Sequence, residues 1–156
     1  MADVQLVIFK LATEKNVCEY GIPITKVQEI ITTNPPTILP QVPNFVEGII
    51  NLRGKIIPII DLKKRFALSS TPTEGETRSI VLEMDGQIAG IVVDEVSEVI
   101  MVPGEKIEPP PAVIGGITAE YLTGIAKVND RLLILLDADR ILTDIEKTAL
   151  TTMQVL

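Results

Sequence analysis

Short apolar runs, broken by glycine, proline and polar clusters, set the rhythm of the chain. The runs at 6–11, 17–24, 80–84 and 87–93 have strand length, and Asp85-Gly86 between the last two is a tight-turn signature. Segments 26–31 and 95–100 follow, with apolar residues at Val27, Ile30 and Ile31 and at Val96, Val99 and Ile100. Proline-rich loops come next, at 34–43 and 103–111. Each half then closes with a hairpin, turned by Arg53-Gly54-Lys55 in one and by Asn129-Asp130-Arg131 in the other. After each hairpin the period changes. Residues 61–68 predict a short helix with Asp61 as its N-cap, and residues 137 to about 150 a longer C-terminal helix. Between the halves, SSTPTEGET at 69–77 has no apolar residue and reads as a linker.

The two halves resemble each other. GIPITKVQEII (21–31) aligns without gaps on GIVVDEVSEVI (90–100), with five of eleven positions identical. GIINLRGKIIPIID (48–61) aligns on GIAKVNDRLLILLD (124–137), where the apolar pattern persists although only Gly, Ile and the closing Asp are identical. Two blocks in register and in order point to a tandem duplication, with approximate repeats 6–68 and 79–150. The fold expected is all-β with short helices: two small five-stranded barrels packed on each other, plus the C-terminal helix. Pro23 and Pro58 replace Val92 and Ile134 of the other copy, and a proline cannot donate to a ladder, so their strands are expected at edges or bulges.

Composition sharpens this picture. Ile, Val and Thr number 23, 15 and 14 of 156 residues, one third of the chain, and such stiff β-branched side chains suit a pleated surface. The formal charge of −7 disfavours nucleic acid and anionic membranes as partners. With no histidine, imidazole-based triads and relays are excluded. A single cysteine, Cys18, excludes an internal disulfide and any multi-thiolate metal site. No leader pattern opens the chain, and the greasiest window, 49–62, is broken by Asn51, Arg53, Lys55 and Pro58, so no membrane insertion and a cytoplasmic location are expected. Catalysis finds no support. The carboxylate pairs Asp94/Glu95, Asp137/Asp139 and Asp144/Glu146 read as solvated faces or helix ends, and Asp137-Ala-Asp139 lacks the spacing of a calcium loop. No metal and no cofactor are expected.

Two features stay open on the residues alone. Arg53 is either a solvated turn residue or an exposed anchor. Val27, Ile30, Val96 and Val99, matched between the copies, are either core or the lining of an apolar groove suited to a helix. An adaptor with a shallow groove and a small-ligand or enzymatic barrel with a deep pocket both remain possible at this level.

The strings YGIPITKVQEI (20–30), VEGIINLRGKIIPIIDL (46–62), GIVVDEVSEV (90–99) and EYLTG (120–124) resemble the CheW family of chemotaxis coupling proteins, in order and over about 5–145. The resemblance implies one CheW-like domain spanning 1–156, with barrels of SH3-like topology, a groove between them, and an opening strand that can cross between barrels. It implies a non-catalytic adaptor, a monomer on its own, that bridges the cytoplasmic hairpin tip of methyl-accepting chemoreceptors and the regulatory domain of the histidine kinase CheA, and is recruited to membrane-associated receptor arrays. Carried over by motif, the receptor-facing positions are Val27, Glu29, Gly48, Arg53, Val96 and Val99, with Ile30 added from the repeat. The kinase-facing candidates are Ile38, Ile56, Glu108 and Val113.

Overall fold

The computed structural model describes residues 3–13, 17–32, 35–68, 77–84, 86–114 and 117–141. The β-branched runs form strands in this order: β1 (Val4–Ala12), β2 (Val17–Pro23), β3 (Val27–Thr32), β4 (Val46–Leu52), β5 (Lys55–Asp61), helix α1 (Leu62–Arg65), β6 (Arg78–Met84), β7 (Gln87–Val93), β8 (Glu95–Val102), β9 (Ile107–Glu108), β10 (Val113–Ile114), β11 (Ile117–Thr118), β12 (Leu122–Val128) and β13 (Arg131–Leu136). They make a five-stranded sheet, β3-β6-β7-β5-β4, a six-stranded sheet, β8-β1-β2-β13-β12-β9, and the small pair β10-β11. Each large sheet is a small SH3-like barrel, and the two pack on each other. In the five-stranded sheet, the edge strand β3 is tied by Glu29 to Arg53, which follows the opposite edge strand β4.

The sheets do not follow the division into 6–68 and 79–150. The first copy's opening hairpin, β1-β2, lies in the sheet of β8, β12 and β13, and the second copy's hairpin, β6-β7, lies in the sheet of β3, β4 and β5. Parallel pairs seal both exchanges, β5 with β7 and β13 with β2. Crossing of the opening strand was the expectation; whole hairpins cross. The exchange lets β1 bury both faces. Val7, Phe9 and Leu11 join a large core that also holds Ile80, Leu82 and Met84 of the other sheet, whereas Leu6 and Ile8 pack with Leu133 and Leu135.

The aligned glycines have packing reasons. A Cβ on Gly21 would lie 3.0 Å from Leu135, and one on Gly90 2.8 Å from Ile59, each the residue's parallel-strand partner. A Cβ on Gly48 would lie 2.2 Å from the Thr37 carbonyl oxygen, and one on Gly124 2.7 Å from that of Glu108. Gly48 also has φ +144°, which an L side chain adopts only with strain.

The prolines depart from expectation. Neither β2 nor β5 is an edge strand. Pro23 is the last residue of β2, beyond the pairing with β13 that ends at Gly21. Pro58 sits opposite Ile49, whose own N–H and carbonyl are both bonded to Thr37, so the missing donor is not needed by β4. On its other side the pairing with β7 starts one residue later, at Ile59.

Both closing aspartates cap turns. Asp61 Oδ1 accepts from the Lys64 N–H at 3.1 Å, and Asp137 Oδ1 from the Asp139 N–H at 3.0 Å, starting the 3-10 turn Ala138–Arg140. The expected C-terminal helix beyond 141, the linker at 69–76 and Asp85 lie outside the described residues. The loop expected at 103–111 contains a 3-10 turn, Gly104–Lys106, and the two-residue strand β9, which gives the second sheet a sixth strand. At the end of α1, the Arg65 guanidinium lies 5.5 Å from the Phe45 ring centroid and 5.0 Å from that of Tyr121, and so joins the entry to β4 to the entry to β12.

Two outcomes follow from this packing. In urea unfolding, Gly48→Ala should lower stability by about 3 kcal/mol, from clash and strained φ together, while Gly54→Ala, with open space around it, should cost about 1 kcal/mol. Burial chiefly, and then Cys18, pushes the Tyr20 hydroxyl well above its ordinary value of 10.0. An unfolded tyrosine ionises near that value while the folded one stays neutral, so this contribution is intact below pH 10 and is lost as pH rises past it. Tyr20→Phe should flatten the alkaline fall in unfolding free energy. Lys26 and Lys64, raised above 10.5 chiefly by hydrogen bonds to Asp139 and Glu47, add slope of the same sign.

Candidate functional site

Among the receptor-facing residues expected from the sequence, Glu29 and Arg53 are tied to each other by a two-pronged ion pair. Leu52 pairs with Lys55, leaving Arg53 and Gly54 as a two-residue turn with φ of 54° and 85°. Positive φ at both central residues is the hairpin geometry that normally selects Asn or Gly, and an arginine there carries strain. The Asn51 side chain accepts from the Gly54 N–H at 2.9 Å and steadies the turn. Arg53 uses its fork on Glu29, with Nη1 to Oε1 at 2.9 Å and Nη2 to Oε2 at 2.8 Å. Its side chain remains 77% exposed, so the clamp holds a guanidinium edge at the surface.

β3 and β8 each end a sheet and pair on one side only. Val27 begins β3 and Val96 is the second residue of β8, and both pack half-buried against the shared core. Both strands carry a register shift here, between Val27 and Glu29 and between Val96 and Glu98. Ile30 and Val99, the matching positions further along, are 40% and 47% exposed. The apolar set is therefore split: Val27 and Val96 are footings in the core, and Ile30 and Val99 present apolar surface. Gly48 stands apart from them. It is buried against the Thr37 backbone, so glycine there serves the packing of the fold whatever else the position does.

The other candidates are dispersed. Ile38 and Ile56 lie along β4 and β5, 82% and 38% exposed; Ile38 follows the Thr37–Ile49 bridge, and Ile56 lines a shallow depression with Gly54, Lys55, Ile57 and Ile88. Val113 is 59% exposed on β10, and Glu108 on β9 pairs with Lys127 at 3.4 Å. Sequence reading missed Met101, 56% exposed two residues beyond Val99 on β8; the alternation of that strand was the available signal. It also missed the pair Lys63–Asp94, whose partners are 31 residues apart and leave no local trace. Among the described residues, no three acidic or cysteine side chains gather to hold a metal ion, and no helix is long and apolar enough to cross a membrane.

A family model described as the CheW-like domain matches residues 5–146. The chain belongs to the CheW-like family. It is 41% identical to the chemotaxis protein CheW of Klebsiella aerogenes over 142 residues, covering 91% of this chain and 83% of that one. It is 37% identical to the chemotaxis protein CheW of Treponema pallidum, covering 96% and 88% of the two chains. Among solved structures, the scaffolding protein TtCheW from Thermoanaerobacter tengcongensis superposes with a TM-score of 0.82 at 40% identity, covering 94% and 92%. CheW-like proteins are non-catalytic chemotaxis adaptors, and the fold and sequence of this chain place it among them.

The strain at Arg53 gives a prediction. Arg53→Asn relieves the turn and removes an exposed ion pair worth under about 1 kcal/mol, so the melting temperature should hold or rise slightly. A clear fall in melting temperature would mean that the clamp is structural.

Proposed function

We propose that this CheW-like adaptor receives the helical cytoplasmic hairpin of a chemoreceptor on the face formed by β3 and β8, and docks the regulatory domain of the kinase CheA along Ile38, Ile56, Glu108 and Val113. The observation that carries the reading is the pair of edge strands. They begin on the shared core at Val27 and Val96 and expose Ile30, Val99 and Met101, with the Arg53–Glu29 clamp beside Ile30. Apolar knobs beside a strained, oriented guanidinium suit an amphipathic helix with a polar flank. Val27 and Val96 support this surface from beneath, and Gly48 shapes the hairpin that presents Arg53. The protein acts as a monomer in the cytoplasm and is drawn to membrane-associated arrays by its partners. Each contact is individually weak, and the array supplies strength through effective concentration. A receptor state alters kinase activity only where it changes these contacts.

The test uses a purified receptor hairpin fragment and the kinase regulatory domain in separate titrations. Ile30→Asp and Val99→Asp should each weaken receptor binding at least about tenfold, with kinase binding and melting temperature unchanged. Ile56→Asp should do the reverse. Retained receptor affinity in both of the first two variants would refute the β3–β8 face. Val27 is the poorer probe, because its contact with the shared core couples binding to stability.

A further inference from the structure

The chain passes between the sheets twice on its way into the two edge strands. The 3-10 turn Ile24–Lys26 leads from β2 into β3, and Asp94 leads from β7 into β8. Val27 follows the first crossing directly, and Val96 lies two residues after the second. An ion pair anchors each crossing to the turn that ends a hairpin. Lys26 binds Asp139 at 3.1 Å in the turn after β13, and Asp94 binds Lys63 at 3.1 Å in α1, after β5. Lys63 and Asp139 are matched positions, each two residues past a closing aspartate, Asp61 or Asp137. An ion pair of opposite polarity thus anchors each crossing, from a matched position on the hairpin side and from neighbouring, unmatched positions on the crossing side, since Lys26 aligns with Glu95 and Asp94 with Thr25.

The two anchors differ in burial. Lys26 and Asp139 side chains are 32% and 40% exposed, whereas Lys63 and Asp94 are 9% each. Lys63 Nζ donates to Asp94 and also to the Ala12 carbonyl at 3.2 Å. Asp94 Oδ2 accepts from the Ala12 N–H at 2.6 Å, and the Asp94 N–H donates to the Lys10 carbonyl at 3.1 Å. One knot therefore joins α1, the end of β1 and the entry to β8. A buried ion pair is a poor source of stability compared with apolar packing, because both charges give up water. Its directional bonds do fix position. Position matters here, since the chain switches pairing partners across this single residue, from Arg78 opposite Val93 to Lys10 opposite Glu95, and β8 shifts register against β1 just beyond.

We propose that the Lys63–Asp94 pair is a positioning element for the receptor-facing strand, setting Val96 and Val99 on β8 relative to α1 and the β4–β5 hairpin that carries Arg53. This rests on the reading of β8 as receptor surface.

The test is Lys63→Met/Asp94→Asn, which removes both charges and leaves neither unpaired, with Lys63→Arg as the conservative control. Lys63→Gln/Asp94→Asn, which keeps a donor for the Ala12 carbonyl and an oxygen for the Ala12 N–H, is read in the same way if the first double variant does not fold. The double variant should stay folded by circular dichroism. In the partner-free protein, the NMR methyl resonances of Val96 and Val99 should shift while those of Ile38 and Val113 hold. Affinity for the receptor hairpin fragment should fall about tenfold, with affinity for the kinase domain within about twofold, and the Lys63→Arg control should keep both near the wild-type values. Unmoved β8 methyls, or equal losses for the two partners, would overturn the proposal. Shifted methyls with unchanged receptor affinity would overturn the reading of β8 as receptor surface and leave the pair's hold on β8 intact.

Discussion

Everything else in this molecule depends on one apolar core shared between its two sheets. A small barrel has too little interior to hold its strands together alone, and exchanged hairpins solve this by putting β1-β2 in one sheet and β6-β7 in the other. Each exchanged strand then shows one face to its own barrel and the other to the joint. Val7, Phe9 and Leu11 meet the core held by Ile80, Leu82 and Met84, while Leu6 and Ile8 turn to Leu133 and Leu135. Such a joint cannot open without exposing the strands that hold both barrels.

The exchange also decides which strands reach the sheet edges. A chain that hands hairpins across must cross twice, and each crossing delivers a strand to the edge of a sheet. β3 and β8 are those strands. Their first apolar residues remain in the core, and the next matched ones emerge into solvent. An adaptor needs no pocket for this task. On the proposed reading it needs apolar edges held in place, and the valines packed on the core and the ion pairs at the crossings are the contacts available to hold them. The strain at Arg53 sits at the same edge, where a residue ill-suited to its turn places its fork on Glu29.

Much of this was legible beforehand, and the limits are instructive. β7 at Gln87–Val93 lies where alternation and turn residues put it, as do both hairpin turns and the Asp61 cap. Pro58 misled, because its strand is internal; the missing donor falls where Ile49 is occupied by Thr37, a contact twelve residues away that no local rule foresees. The apolar quartet Val27, Ile30, Val96 and Val99 could not be divided into footing and surface by pattern, since matched positions in two copies look alike. Lys63 and Asp94 read as ordinary surface charges, because their pairing exists only once α1 and the second crossing meet.

What the sequence determined by itself is local and periodic: the strands, from stiff side chains and alternation; the turns, from glycine, asparagine and aspartate; the two-copy plan, from aligned blocks; the family, from strings that run in order along nearly the whole chain. Those signals are short-range or reside in similarity, so they survive without coordinates. The tertiary structure alone decided which hairpin joins which sheet, which valines are footings, and which charges are buried together. Those outcomes depend on contacts between residues far apart in the chain, such as Lys26 with Asp139 and Arg131 with Glu19, and such contacts arise only when the shared core brings the two copies into register.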